Sequence, residues 1–255
     1  MFFSHILVCF FILRHISTLF KKQIQTTSHN ILLIAHPDDE SMFFTPFIEK
    51  MYRANFKIVK NPNKNNFILS KQPLYMEKVK ETEFTKTFLN YENTCLTVLC
   101  LSGKNTKREK EIYNICSEKM FNLYVYDFKD GEEWNKNKIA LILLKKIRKI
   151  FSFKKCKLSI FTFDRYGVSG HKNHISCFNA TKTVQKLLLN TQTVYFNYLK
   201  SYSLFQKYFI CFTSPHFVGN AFNGYKNMAY HKTQLVWYRY LWIFFSNYMT
   251  YNTFE

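Results

Sequence analysis

The sequence predicts an α/β domain, a mainly parallel sheet with helices on both faces, preceded by an N-terminal membrane segment. Three observations lead there. Short apolar runs alternate with stretches of helical spacing, polar residues gather where the apolar runs end, and Met1–Phe20 is mostly apolar up to Lys21 and Lys22. Alternating strands and helices imply βαβ units and a parallel sheet. No internal repeat is visible, and 255 residues suffice for one such domain with a sizeable core.

The N-terminal segment centres on Ile6–Leu13, with His5, Arg14 and His15 interrupting it. A secretory leader carries its charge before the apolar region and small residues after it, and neither feature is present. Residues 1–22 therefore read as a membrane anchor or an interfacial helix. Lys21-Lys22 put the domain on the cytoplasmic side under the positive-inside rule. The main domain spans 30–255.

Ile31–Ile34, between Asn30 and His36-Pro37, reads as a buried parallel strand because a strand covered on both faces is continuously apolar. A helix follows over Ser41–Tyr52, its apolar surface interrupted by Pro46. From about 53 to 93 the texture turns Lys/Asn-rich, as in Lys60–Asn66, which reads as a low-complexity insertion. Leu96–Leu101 is the second strand, Lys107–Met120 a helix, and Leu123–Tyr126 the third strand. Ile139–Ile150 has apolar residues at helical spacing, with Lys145, Lys146, Arg148 and Lys149 on its other face. Leu158–Phe163 is the fourth strand, His174–Leu189 a helix, and Thr193–Leu199 the last strand.

Lys+Arg 36 against Asp+Glu 17 gives a net charge of +19, which suits an anionic partner such as lipid headgroups. No nucleic-acid-binding motif accompanies the charge, so no nucleic acid is expected. The seven cysteines form no CxxC pair and several sit in apolar runs, the pattern of buried free thiols rather than of a disulfide framework.

Ligand sites in open parallel sheets lie beyond the carboxyl ends of the strands. The first strand ends in His36-Pro37-Asp38-Asp39-Glu40, and the fourth leads through Asp164 and Gly167–Gly170 into His171-Lys172-Asn173-His174. Either cluster alone also fits a bland role, since acidic residues at a helix start are favoured by its dipole. Together, at one sheet edge, they can supply three metal ligands, a carboxylate base and a second imidazole. Open catalytic zinc sites have that form. Two adjacent aspartates let one bind metal while the other takes a proton from water. No GxSxG turn suggests a covalent route.

These residues resemble the motifs of the LmbE-like (PIG-L) deacetylase family. Ala35–Glu40 with Ser41–Pro46 is similar to its first motif, and Thr162–Asp164 with Gly167–His171, Asn173 and His174 to its second. Supporting stretches are Leu99–Ser102, Arg108, Glu111, Asp130-Gly131, His231–Gln234, Trp237–Arg239, Ser246–Met249 and Asn252. The resemblance implies a Rossmann-like fold and a divalent metal, zinc foremost, held by His36, Asp39 and His174. It implies that Asp38 is the general base, that His171 stabilises the oxyanion or protonates the leaving amine, and that Arg108 binds substrate. The implied reaction removes the acetyl group of N-acetylglucosaminyl-phosphatidylinositol, the second step of glycosylphosphatidylinositol-anchor synthesis. The implied substrate is membrane-embedded, at the cytoplasmic face of the endoplasmic reticulum membrane. Two other readings stay open: a deacetylase of a soluble N-acetyl amino sugar, and an inactive lipid-binding scaffold on this fold.

Overall fold

A computed structural model of the chain describes residues 24, 27–60, 87–89, 94–153, 156–189, 193–209 and 214–255. The strands are β1 His29–Ile34, β2 Thr87–Leu89, β3 Leu96–Ser102, β4 Asn122–Phe128, β5 Leu158–Phe163, β6 Val194–Leu199, β7 Phe217–Val218 and β8 Tyr251–Asn252. The helices are α1 Asp39–Met42, α2 Thr45–Lys60, α3 Lys107–Glu118, α4 Lys136–Phe153, α5 Gly167–Gly170, α6 Lys172–Leu187, α7 Leu204–Tyr208, α8 Ala221–Met228 and α9 Trp237–Phe245.

Six strands form one sheet in the order β2-β4-β3-β1-β5-β6, and a two-stranded sheet joins β7 to β8. Among the described residues only β2 runs antiparallel within the large sheet. β1, β3 and β5 are buried along their whole length, which is why each reads as an unbroken apolar run rather than an alternation. Leu32 pairs with Val98 on one side and Phe161 on the other, so β1 sits in the middle of the sheet. The chain turns to one side of β1 for β3 and β4, and to the other for β5 and β6. The carboxyl end of β1 is thus the switch point where a crevice opens.

The helix expected over Ser41–Tyr52 is two helices. Pro46 stands at the second position of α2, where its missing N–H is harmless. Further inside a continuous helix its ring would clash with the carbonyl of Met42, so the chain breaks at Phe43-Phe44 and restarts. That break turns Phe43 and Phe44 inward against Phe163, at ring centroid distances of 5.9 and 5.3 Å. α2 continues to Lys60, past the change of texture at Arg53. Most of the expected 53–93 insertion lies outside the described residues.

The expected fold class needs one correction. Among the described residues no helix is long and apolar enough to cross a membrane. The strongly apolar α9 has 9 residues, under half of the roughly 20 that a span requires. The longest helix, α4, has 18 but carries Lys and Arg along one face. The membrane segment is therefore removed from the fold class, and the endoplasmic-reticulum membrane localisation that rested on it is withdrawn. Residues 1–22, on which that expectation fell, lie outside the described residues.

Candidate active site

The loop leaving β1 is built around two carboxylates. Asp39 opens α1, and its Oδ2 accepts the backbone N–H groups of Ala35 and His36 at 3.1 and 2.8 Å. That closes the strand end into a tight turn and fixes His36 beside it. Asp38 has φ 124° and ψ −20°, a left-handed geometry that costs a non-glycine residue about 1–3 kcal/mol. Three neighbours hold it there. Glu40 Oε2 accepts the Asp38 N–H at 3.2 Å. Arg108 Nη2 donates to the Pro37 carbonyl at 2.8 Å and to Asp38 Oδ1 at 3.0 Å. Arg239 Nη2 lies 3.6 Å from Asp38 Oδ2.

Glu40 is itself held by its other oxygen, which accepts from Ser41 Oγ at 2.7 Å and meets His231 Nε2 at 2.5 Å. His231 and Glu40 are both fully buried. Gly103, at the end of β3, has φ +89°, and a Cβ there would come within 2.4 Å of Pro37 Cγ. Only glycine lets the neighbouring strand end pass this close under the Asp38 loop.

The second cluster follows β5. Asp164 is spent on structure: Oδ2 accepts the Ser201 N–H at 2.7 Å, and Oδ1 accepts Ser201 Oγ and the Tyr166 N–H. It ties the loop after β6 to the loop after β5. Gly167 follows with φ +60°, where a Cβ would meet that of His174 at 2.9 Å. His174 stacks on Phe163, with centroids 4.0 Å apart and planes 2° from parallel.

Every site residue expected from the sequence lines one cavity of about 1010 Å³: His36, Asp38, Asp39, Arg108, His171 and His174. His36, His171 and His174 each offer a nitrogen within 4.8 Å of the others, a group able to hold a metal ion. Asp39 touches two of them. Its Oδ1 is 3.2 Å from His174 Nε2, and its Oδ2 is 3.7 Å from His36 Nδ1.

The hydrogen bonds decide what each imidazole has left to give. His174 Nδ1 donates to the Gly167 carbonyl at 3.0 Å, which turns Nε2 toward Asp39. His36 Nε2 meets both Asp130 Oδ1 and the Asn173 side-chain amide at 3.1 Å, and its Nδ1 faces the other Asp39 oxygen. The Asp39 carboxylate thus lies between the two imidazoles, where a cation would find oxygen and nitrogen donors together. An outer carboxylate or carbonyl on the far nitrogen is how metal-binding histidines are oriented. His171 differs. It caps α6, its Nδ1 accepting the Asn173 N–H at 3.3 Å, so its proton sits on Nε2 and that nitrogen is a donor.

Charge follows the same division. Burial works against ionising Asp39, but His174 and then His36 outweigh it and hold the carboxyl well below its usual range. Burial, and next the charge of Asp39, push Asp38 up to about 6, against the pull of Arg108, His231 and Arg239. Burial lowers His36, yet the hydrogen bond and charge of Asp39, with Asp130 and Asp38, leave it raised. His171 is lowered by burial and by its two histidine neighbours, which favours the neutral ring.

Sequence reasoning gave no role to Glu40, Asp130 or Arg239. Glu40 was visible beside the aspartates. The other two come from the loop after β4 and from α9, and no spacing in the chain links them to His36.

No family model matches the chain. Relatives match over most of its length, and each is named as an N-acetylglucosaminyl-phosphatidylinositol de-N-acetylase. The probable enzyme of Schizosaccharomyces pombe is 28% identical over 253 residues, covering 87% of this chain and 84% of its own. The Bos taurus enzyme is 26% identical over 249 residues, covering 89% and 82%. The probable Dictyostelium discoideum enzyme is 27% identical over 291 residues, covering 93% and 94%. Fold, metal-competent cluster and relatives together define a metal-dependent hydrolase of the deacetylase kind. The chain is similar over most of its length to these de-N-acetylases.

Proposed function

We propose that the chain hydrolyses the acetamide of N-acetylglucosaminyl-phosphatidylinositol, releasing acetate and glucosaminyl-phosphatidylinositol, the second step of glycosylphosphatidylinositol-anchor synthesis. The observation that carries this reading is the pairing of Asp38 with Asp39: adjacent carboxylates, one held by two arginines and the other lying between two imidazoles. The names of the relatives supply the substrate.

His36, Asp39 and His174 would hold a divalent cation, zinc by preference for nitrogen and carboxylate donors. Such a cation polarises the acetyl carbonyl and acidifies water. The Asn173 N–H on His171 Nδ1 opposes a ligand role for His171 and favours Asp39 as the third donor. Asp38 takes the proton of the attacking water, its carboxylate aimed into the cavity by Arg108 and Arg239. The oxygen of water bonds to the acetyl carbon, and negative charge moves onto the carbonyl oxygen. His171 Nε2–H donates to that oxygen. As the C–N bond breaks, the amine nitrogen takes back the proton held on Asp38, or one delivered through His171. Arg108 flanks the same cavity and contributes positive charge where a headgroup phosphate would enter.

Acetate release from N-acetylglucosaminyl-phosphatidylinositol tests the reading, comparing wild type, His174→Ala, and wild type stripped with a chelator and resupplied with zinc. Release that disappears in the variant and on stripping, and returns with zinc, supports it. Folded, zinc-loaded protein that releases no acetate refutes the substrate assignment. Asp38→Ala and Asp38→Asn variants that both retain near-wild-type turnover refute the base.

A further inference from the structure

The cavity is far larger and less polar than acetamide hydrolysis on a sugar requires. Its volume, about 1010 Å³, lies at the upper end of the roughly 300–1,000 Å³ typical of sites that enclose a drug-sized ligand. His36, Asp38, Asp39, His171 and His174 line it from the segments that follow β1 and β5. Another wall is formed by Tyr208 and Phe209, at the end of α7, with Tyr238, Leu241, Trp242 and Phe245 from α9. α9 reads Trp-Tyr-Arg-Tyr-Leu-Trp-Ile-Phe-Phe and buries only Ile243. On its cavity side Arg239 reaches Asp38, while Tyr238, Leu241, Trp242 and Phe245 recur at helical spacing beside it. Tyr208 meets Trp242 edge-on at 6.0 Å, which joins α7 to α9 in one surface. Trp242 Nε1 is already spent on the Met42 carbonyl at 3.1 Å. On the same two helices Leu204, Phe205, Trp237 and Phe244 are exposed.

We infer that this α7–α9 wall is the subsite for the aliphatic chains of the substrate's lipid, and that it sets preference for a lipid-linked sugar over a free one. The inference rests on the proposed reaction and deepens it. A second sugar against this wall would lose water from its hydroxyls without partners, which disfavours a polar aglycone. An alkyl chain loses nothing there, and each methylene taken out of water is worth up to about fourfold in affinity. A single cavity with an ionic floor and an apolar wall accepts a molecule with one polar and one apolar half. Arg108 and Arg239, beside Asp38 and at the foot of the wall, suit the anionic junction between the two.

The test uses substrates that stay monomeric in water. N-acetylglucosaminyl-inositol phosphate lacks chains, and its dihexanoylglycerol ester carries short ones; both are assayed below the critical micelle concentration. In wild type, kcat/KM should be at least about tenfold higher on the chain-bearing substrate. In Leu241→Ala/Phe245→Ala that ratio should fall toward one. A wild-type ratio near one overturns the inference. So does a variant that loses both substrates equally, or one that keeps the wild-type ratio.

Dihexanoyl-glycerophosphoinositol, which has no acetamide, separates this inference from the reaction it rests on. Its binding, followed by tryptophan fluorescence, should be saturable in wild type and at least about tenfold weaker in the variant, whether or not acetate is ever released. Absence of binding in wild type overturns the subsite. Sedimentation without lipid checks the other occupant the wall would fit, a second copy of the chain. A dimer that dissociates in the variant, with chain preference unchanged, overturns it as well.

Discussion

His231→Leu should be among the most damaging single changes outside the cavity. His231 and Glu40 form a buried ion pair at 2.5 Å, and the Glu40 carboxylate also receives the Asp38 N–H and Ser41 Oγ. Burial opposes charge on His231, but Glu40, by its charge and hydrogen bond, leaves the imidazole raised above its ordinary 6.5. Burial likewise opposes charge on Glu40, and His231 leaves that carboxyl below its ordinary 4.5. Leucine fits the volume but strands a carboxylate exposed at only 2% of its surface. Removing one partner of a buried pair costs about 3–5 kcal/mol, and in a chain of this size each 1 kcal/mol moves Tm by about 2–4 °C. A loss of about 10 °C in thermal unfolding is expected.

The pH dependence of that loss carries a second check. A raised histidine contributes stability that is complete below 6.5 and declines as pH rises through its folded value. A depressed glutamate contributes stability that is complete above 4.5 and declines as pH falls through its folded value. The gap between wild type and His231→Leu should therefore be widest between pH 4.5 and 6.5 and narrow as pH rises through the folded value of His231. Adding Glu40→Gln should restore part of the loss, because the stranded charge is gone. A Tm within about 2 °C of wild type, or a gap independent of pH, would refute the ion-pair account.

Three further outcomes follow from the geometry. Gly103→Ala combines a strained φ with a 2.4 Å encounter with Pro37; it should cost about 1–3 kcal/mol in denaturant unfolding and at least about tenfold in kcat through displacement of Asp38. Arg108→Ala removes a charge that holds Asp38 down, so the acid limb of the kcat/KM profile should move to higher pH, since the base then needs a higher pH to ionise. Zinc at a hundredfold excess over its Kd should stabilise wild type by about 2.7 kcal/mol, read as a rise in Tm. His174→Ala should abolish that rise and His171→Ala should leave most of it; equal losses would make the three histidines, rather than His36, Asp39 and His174, the ligand set.

Much of the sheet could be read because β1, β3 and β5 are covered on both faces and their sequences are unbroken apolar runs. The strand-end rule then located His36–Glu40 and Asp164–His174 together, since both follow strands that lie side by side. Where reading failed, tertiary contacts supplied what local pattern lacked. β2 is three residues whose pairing comes from β4, and nothing in the Lys/Asn-rich sequence around it marks a strand. The end of the first helix turned on Pro46, visible as an interruption but not as a restart. The wall of α7 and α9 could not be read locally, because the placement of α9 at the cavity depends on Arg239 and Trp242 reaching Asp38 and Met42.

The division of labour between His171 and His174 lies at the limit of what spacing can express. Both belong to one short run, and either could ligate or donate. The backbone separates them. His171 stands at the N-cap of α6, where a free N–H of the first turn needs an acceptor, and its Nδ1 provides one. His174 lies one turn inside, against Phe163, with the Gly167 carbonyl waiting for its Nδ1 proton. Gly167 can present that carbonyl because it adopts φ +60° with its bare Cα against His174. One helix start thus produces a donor and an acceptor from the same side chain three residues apart, and a hydrolytic site of this kind needs both.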